Sequence, residues 1–151
     1  MTNLRHVGIY VSDLNKMTSF YKSTFELHTI CENVVQKDEL IAELVGENDS
    51  AVKITKLITD RGKETGIGDM LELVEVLGQN ETQNSRRIFD KVCRSGCAHI
   101  CLGVNDIMKV LGRLESNDGT VQSNIKSFPN GNVCCFCTDP EGNWLELIAS
   151  N

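Results

Sequence analysis

Two stretches of this chain repeat each other. Leu4-Arg5-His6-Val7-Gly8-Ile9-Tyr10-Val11-Ser12-Asp13 and Cys97-Ala98-His99-Ile100-Cys101-Leu102-Gly103-Val104-Asn105-Asp106 each put a histidine at the head of an apolar run and an aspartate seven residues further on. Met70-Leu71-Glu72-Leu73-Val74 and Trp144-Leu145-Glu146-Leu147-Ile148 form a second matching pair. A chain built this way is one unit used twice, and each copy brings one imidazole and one carboxylate. Two imidazoles and two carboxylates can hold a divalent metal, so the duplication constrains chemistry as well as fold.

At 151 residues the chain has the length of one domain with a real core. The expectation is a single domain over 1–151 made of two modules, about 1–80 and 95–151, with a linker helix over about 83–94. A net charge of −6 with 5% aromatic residues offers neither the basic face nor the stacking platform that nucleic acid needs. It also gives no drive toward a membrane surface. No basic segment followed by a long apolar run opens the sequence, and no window nears the roughly 18 uninterrupted apolar residues of a membrane span, so a cytoplasmic location is expected. The seven cysteines are an odd number, and several sit in apolar runs. That suits small buried thiols in a reducing compartment better than a disulfide framework.

Periodicity supplies the elements. Residues 4–11 alternate as a strand, and Asp13 can cap a helix whose apolar stripe includes Leu14, Met17, Phe20, Tyr21 and Phe25. His28 to Val35 reads as a strand, Asp38 to Val45 as a short helix or strand, Ala51 to Ile58 as a strand, Arg61 to Asp69 as a glycine-containing loop, and Leu71 to Leu77 as a strand. In the second copy, Cys97 to Val104 is a strand and Asp106 caps a helix through Leu114. Strands at about 120–126, 132–138 and 144–149 follow, the last two joined by the turn Asp139-Pro140-Glu141-Gly142-Asn143. Each half is then strand, helix and three strands: an α+β protein, its sheet mostly antiparallel, with helices on one face.

Strand parity sorts the candidate site. Val7, Ile9 and Val11 share a face that a helix can cover, while His6, Gly8 and Tyr10 take the other. The same sorting opposes Ile100, Leu102 and Val104 to Cys97, His99, Cys101 and Gly103, and sets Glu72 and Glu146 on the faces away from Leu71, Leu73 and Leu145, Leu147. If helices cover the wholly apolar faces, all four ionisable residues collect on the opposite, concave one. Two carboxylates in a half-buried cleft repel and lose hydration, so a cation belongs among them. Imidazole and carboxylate suit Zn²⁺, Ni²⁺, Co²⁺, Mn²⁺ or Fe²⁺. Glu75 competes with Glu72, but alternation puts it with Leu71 and Leu73, so Glu72 is preferred. Tyr10, Trp144 and Cys101 lie on the cleft parity as candidate substrate contacts, and His28, which has no echo, reads as a surface residue.

These residues resemble the vicinal oxygen chelate superfamily, which includes glyoxalase I, methylmalonyl-CoA epimerase, extradiol dioxygenases, fosfomycin-resistance proteins and bleomycin-binding proteins. The carriers are Leu4 to Leu14, Phe20-Tyr21, Leu71-Glu72-Leu73, Ala98-His99-Ile100 with Val104 to Ile107, and Asp139 to Leu147, nearly the whole chain. The resemblance implies paired βαβββ modules whose curved sheet encloses a metal, and frequent homodimers, with sites built within one chain or across two. Relatives carry Leu-Gly-Phe or Leu-Gly-Met where this chain has Phe25-Glu26-Leu27.

The ligand set looks like the His, Glu, His, Glu arrangement of glyoxalase I, here His6, Glu72, His99 and Glu146. In that subgroup a divalent ion (Ni, Zn or Co, with Fe or Mn less expected) assists isomerisation of a 2-oxoaldehyde–thiol hemithioacetal, a lactoylglutathione lyase-like reaction through an enediolate. A glutamate moves the proton, by resemblance Glu146, with Glu72 second. Arg86, Arg87, Lys91 and Arg94 form a basic cluster that could hold the anionic tail of glutathione, another thiol or coenzyme A, or could simply be a solvated helix face. Acyl-CoA epimerisation, extradiol ring cleavage and metal-free small-molecule binding stay open as alternatives.

Overall fold

The computed structural model describes residues 2–45, 51–78 and 99–150. The expected linker helix, together with Arg86, Arg87, Lys91, Arg94, Cys93 and Cys97, lies outside the described residues. The chain divides into two compact units, Met1–Arg86 and Arg87–Asn151. Among the described residues no helix is long and apolar enough to cross a membrane.

The first unit runs β1 (His6–Tyr10), α1 (Leu14–Phe25), β2 (His28–Gln36), α2 (Glu39–Val45), β3 (Ala51–Ile58), α3 (Asp60–Thr65) and β4 (Met70–Leu77). Its sheet has the order β1-β4-β3-β2, with β1 parallel to β4 and the other pairs antiparallel. The second unit runs β5 (Ile100–Gly103), α4 (Ile107–Ser116), β6 (Thr120–Val121), β7 (Lys126–Ser127), β8 (Val133–Thr138) and β9 (Trp144–Ala149). Its order β5-β9-β8-β6, again with one parallel pair, β5 on β9, repeats the first topology. The expected mixed α+β repeat is therefore present, its strands hydrogen-bonded as one sheet per unit.

Both main helices start as the sequence dictates. Asp13 accepts from Lys16 N at 2.9 Å and Asp106 from Lys109 N at 3.0 Å, each satisfying an orphan donor of the first turn. Behind those caps, Leu14, Met17, Phe20 and Tyr21 of α1 and Ile107, Val110, Leu111 and Leu114 of α4 are buried. Helix α1 lies against β3 and β4, whose Leu57, Leu71 and Leu73 are buried, and α4 lies against β8 and β9, where Leu145 and Leu147 are buried. The partners on the other faces, Glu72 and Glu146, keep partial exposure.

Two expectations need correcting. The segment read as a loop over Arg61 to Asp69 begins with the helix α3: the Thr59 hydroxyl accepts from Gly62 N at 3.0 Å, and Gly66 ends the turn in the left-handed region at φ 67°. Glycines at 62, 66 and 68 masked this short helix because two of them serve its packing and its stop rather than flexibility. The strand expected at 120–126 is two short strands, β6 and β7, both pairing β8. Glu26, where relatives carry glycine, is the left-handed C-cap of α1 at φ 58°, so this departure touches the helix stop and not the site.

The first copy is the longer, with 66 positions from His6 to Glu72 against 47 from His99 to Glu146, and α2 is part of the excess. Ile41 and Val45 of α2 pack on Val52, Ile54, Val74 and Val76. Those four share the Glu72 face of the sheet, which explains why Val74 is buried on a face expected to be open.

Candidate metal-binding site

In the first unit β1 and β4 pair in parallel with His6 opposite Met70 and Gly8 opposite Glu72. The glutamate thus sits across from the residue two beyond the histidine, and the side chains meet: His6 Nε2 lies 3.4 Å from Glu72 Oε2. Gly8 faces the same carboxylate oxygen: a Cβ there would stand 3.8 Å from it, an ordinary contact. The second unit repeats the register. Cys101, two beyond His99, pairs with Glu146, and His99 Nε2 lies 3.1 Å from Glu146 Oε2. In both units the parallel ladder extends one residue further, through Val11 N to Val74 O and Val104 N to Ile148 O, each 2.8 Å.

The donor chemistry fits a divalent cation. Two ligands bonded at about 2.0–2.2 Å and at right angles stand about 3 Å apart, close to the 3.1 and 3.4 Å of these pairs. The imidazoles are 42% and 34% exposed and the carboxylates 16% and 18%, so each pair opens to solvent on one side. Neither unit groups three or more His, Cys, Asp or Glu side chains that could hold a metal ion among its described residues. Each supplies a pair.

The surroundings of the two carboxylates differ. Opposite Glu72 on β3 stands Lys56, whose Nζ is 3.0 Å from Glu72 Oε1. The equivalent residue opposite Glu146 on β8 is Phe136. Its ring meets His99 edge to face at 5.5 Å between centroids and Trp144 at 6.4 Å. Cys134 Sγ lies 3.3 Å from Glu146 Oε1, and Cys101 stands opposite Glu146 across the parallel ladder. Desolvation first, then the hydrogen bond and charge of Glu146, push both thiols up to about 11.

Of the expected substrate contacts, Tyr10 is 62% exposed on the His6 face, Trp144 packs against Phe136, and Cys101 is exposed beside Glu146. Glu75 is engaged elsewhere: its Oε2 takes Leu14 N at 3.4 Å and Lys53 Nζ at 2.9 Å, an anion at the start of α1. His28 pairs with Asp60 at 2.5 Å on the surface of the first unit. Lys56, Phe136 and Cys134 were not singled out by the sequence. Parity alone could have put Lys56 on the Glu72 face, but its pairing with Glu72 depends on which strands become neighbours.

Comparison with known proteins agrees with this repeat. The chain is 26% identical over 150 residues to a lactoylglutathione lyase of Schizosaccharomyces pombe, covering 98% of this chain and 47% of that one, so it spans about half the length of this curated relative. A glyoxalase family protein from Bacillus cereus superposes with a TM-score of 0.83 at 18% identity, over 99% of this chain and 94% of the other. A fosfomycin resistance protein, FosX, from Listeria monocytogenes superposes with a TM-score of 0.62 at 14% identity, over 100% and 95%. At such identities the structural likeness is one of fold. A family model described as Glyoxalase/Bleomycin resistance protein/Dioxygenase superfamily matches residues 3–147, a span that takes in both histidine–glutamate pairs. By that match, and by the repeated βαβββ topology, the chain belongs to the glyoxalase/bleomycin resistance protein/dioxygenase superfamily.

Proposed function

We propose that this chain is a divalent-metal-dependent isomerase of the glyoxalase I type, acting on a hemithioacetal formed from a 2-oxoaldehyde and a thiol. The observation that carries the reading is the recurrence, at one register in both units, of an imidazole nitrogen beside a carboxylate oxygen. His6 and Glu72 are one donor pair for the cation, His99 and Glu146 the other. When bound, Ni²⁺, Zn²⁺ or Co²⁺ supplies positive charge where a carbon acid becomes an oxyanion, worth several kcal/mol.

The chain's own residues do the rest. A carboxylate takes the proton from the carbon bearing the thiol adduct, and that C–H electron pair becomes a C=C bond as charge passes to the neighbouring oxygen. The same carboxylate returns the proton to the adjacent carbon, and the carbinol O–H proton passes to the neighbouring oxygen, leaving a thioester beside a new hydroxyl, so atoms and electrons balance without an oxidant. Glu146 is assigned this role. The ammonium of Lys56 ties Glu72, whereas among the described residues Glu146 is flanked by the His99 imidazole, the Phe136 ring and the Cys134 thiol. The aromatic surface of Phe136 and Trp144 suits the apolar part of a small substrate, with Tyr10 and the basic residues Arg86 and Arg87 as further contacts. A homodimer acting in the cytoplasm completes the proposal.

The test is an assay of methylglyoxal with glutathione, bacillithiol or coenzyme A, using chelator-treated protein reloaded with Ni²⁺, Zn²⁺ or Co²⁺. Thioester formation is expected, and Glu146→Gln should bind metal yet lose turnover. Unchanged turnover in Glu146→Gln would refute the assignment. Epimerisation of methylmalonyl-CoA, oxygen uptake with Fe²⁺ and a catechol, or a protein that binds no metal would each replace the isomerase reading.

A further inference from the structure

The three register positions around each glutamate can be compared directly. Across the antiparallel neighbour stand Lys56 and Phe136; across the parallel neighbour, Gly8 and Cys101; two residues along the antiparallel neighbour, Ile54 and Cys134. All three differ between the units. Glu72 meets a cation and an empty glycine position, while Glu146 meets an aromatic ring and two thiols. The thiols approach from opposite flanking strands, β5 and β8, with Glu146 on β9 between them. Cys134 reaches Oε1 at 3.3 Å, and the other oxygen, Oε2, faces His99 Nε2 at 3.1 Å.

We propose that Cys134, with Cys101 opposite Glu146 across the parallel ladder, is a positioning residue whose S–H group holds the Glu146 carboxylate, an arrangement without a thiol counterpart at the matching described positions around Glu72. An S–H group is a weak donor, so it fixes the direction of a carboxylate at little cost to its release. An ammonium at 3.0 Å is a charged donor on a charged acceptor, a stronger hold than a neutral S–H group gives a carboxylate. A carboxylate that must carry a proton from one carbon to its neighbour needs the first kind of support, and a fixed anion needs the second. The division of labour between the glutamates thus follows from their neighbours. In that respect the inference rests on the proposed isomerase reading, although the thiol contacts themselves do not.

Infrared spectroscopy of the S–H stretch separates the two parts, because that band falls where other protein groups do not absorb. The wild type is expected to show bands lowered by hydrogen bonding, lost singly in Cys134→Ser and Cys101→Ser, and raised to the free-thiol position in Glu146→Ala with every cysteine intact. In turnover, Cys134→Ala should lower kcat by about two- to threefold, the low end of what one hydrogen bond contributes, with KM little changed. Cys134→Ser, which keeps a hydroxyl donor, should recover most of that loss. Bands indifferent to Glu146→Ala would overturn the proposal, as would a thiolate-to-metal charge-transfer absorption on adding Co²⁺, which would make the thiols ligands. Shifted bands in a protein that turns over no hemithioacetal would support the thiol clamp while removing the isomerase reading.

Discussion

Gly68→Ala tests how the fold fixes the first histidine. Gly68 sits at φ +68°, a region costing an L-residue about 1–2 kcal/mol. A Cβ built there would also lie 2.3 Å from the carbonyl oxygen of Leu4, two residues before His6. Backbone cannot yield as a flexible side chain can, and forcing an extra carbon into a filled space costs about 1–3 kcal/mol more. The sum is about 2–5 kcal/mol, or a fall in Tm of about 4–20 °C at 2–4 °C per kcal/mol for a chain of this size. Gly66 is the internal control. Its φ is +67°, but a Cβ there meets nothing within 4 Å. Gly66→Ala should therefore lose the strain alone, about 1–2 kcal/mol. Because relief of the overlap must draw the Leu4 segment away from Gly68 and so disturb the start of β1, Gly68→Ala should also weaken Zn²⁺ or Ni²⁺ binding while Gly66→Ala leaves it intact. Thermal melts and metal titrations on both variants decide the matter. Equal destabilisation by the two substitutions would refute the steric part of the reasoning.

Replacing Lys56 by Met removes an ammonium that competes for Glu72. A unit charge about 6 Å from a divalent ion repels it by about 1.4 kcal/mol at the dielectric of water, so calorimetric titration should show divalent-metal affinity rising about tenfold; an unchanged or weaker affinity would count against Glu72 as a ligand. Glu26→Gly should raise Tm by a few degrees: about 1–2 kcal/mol of left-handed strain is relieved, against roughly 0.5–1 kcal/mol of added unfolded-chain entropy. A lower Tm would mean that the contacts of the Glu26 side chain outweigh the strain. Burial, followed by the charges of Cys135 and Asp139, pushes the Cys137 thiol up to about 12 from 9.0. Above pH 9 the unfolded thiol ionises while the folded one does not, so the unfolded state binds fewer protons and stability falls as pH rises from about 9 toward 12. Cys137→Ala should flatten that fall, and identical alkaline melting curves would contradict it.

Much of the architecture was already written in local pattern. The 3.6-residue stripe of Leu14, Met17, Phe20 and Tyr21 behind Asp13, and its copy behind Asp106, specify amphipathic helices because the spacing and the cap agree. Two-residue alternation assigned Glu72 and Glu146 to the face that α1 and α4 do not cover, since a strand has no other way to dispose of its side chains. Duplication then made four ordinary residues into a candidate set. The α3 helix escaped because a six-residue element leaves too short a record against its glycines.

What lay beyond the sequence was whatever depends on strand neighbours. That Glu72 faces Lys56 and Glu146 faces Phe136, with thiols on either side, follows from the order β1-β4-β3-β2 and its copy and from their registers. Residues 16 or 10 positions apart become partners only when hydrogen bonds choose which strands lie side by side. Local periodicity can tell which face a side chain takes. It carries no information on what stands across from it, because that is decided by the long-range pairing that closes each sheet.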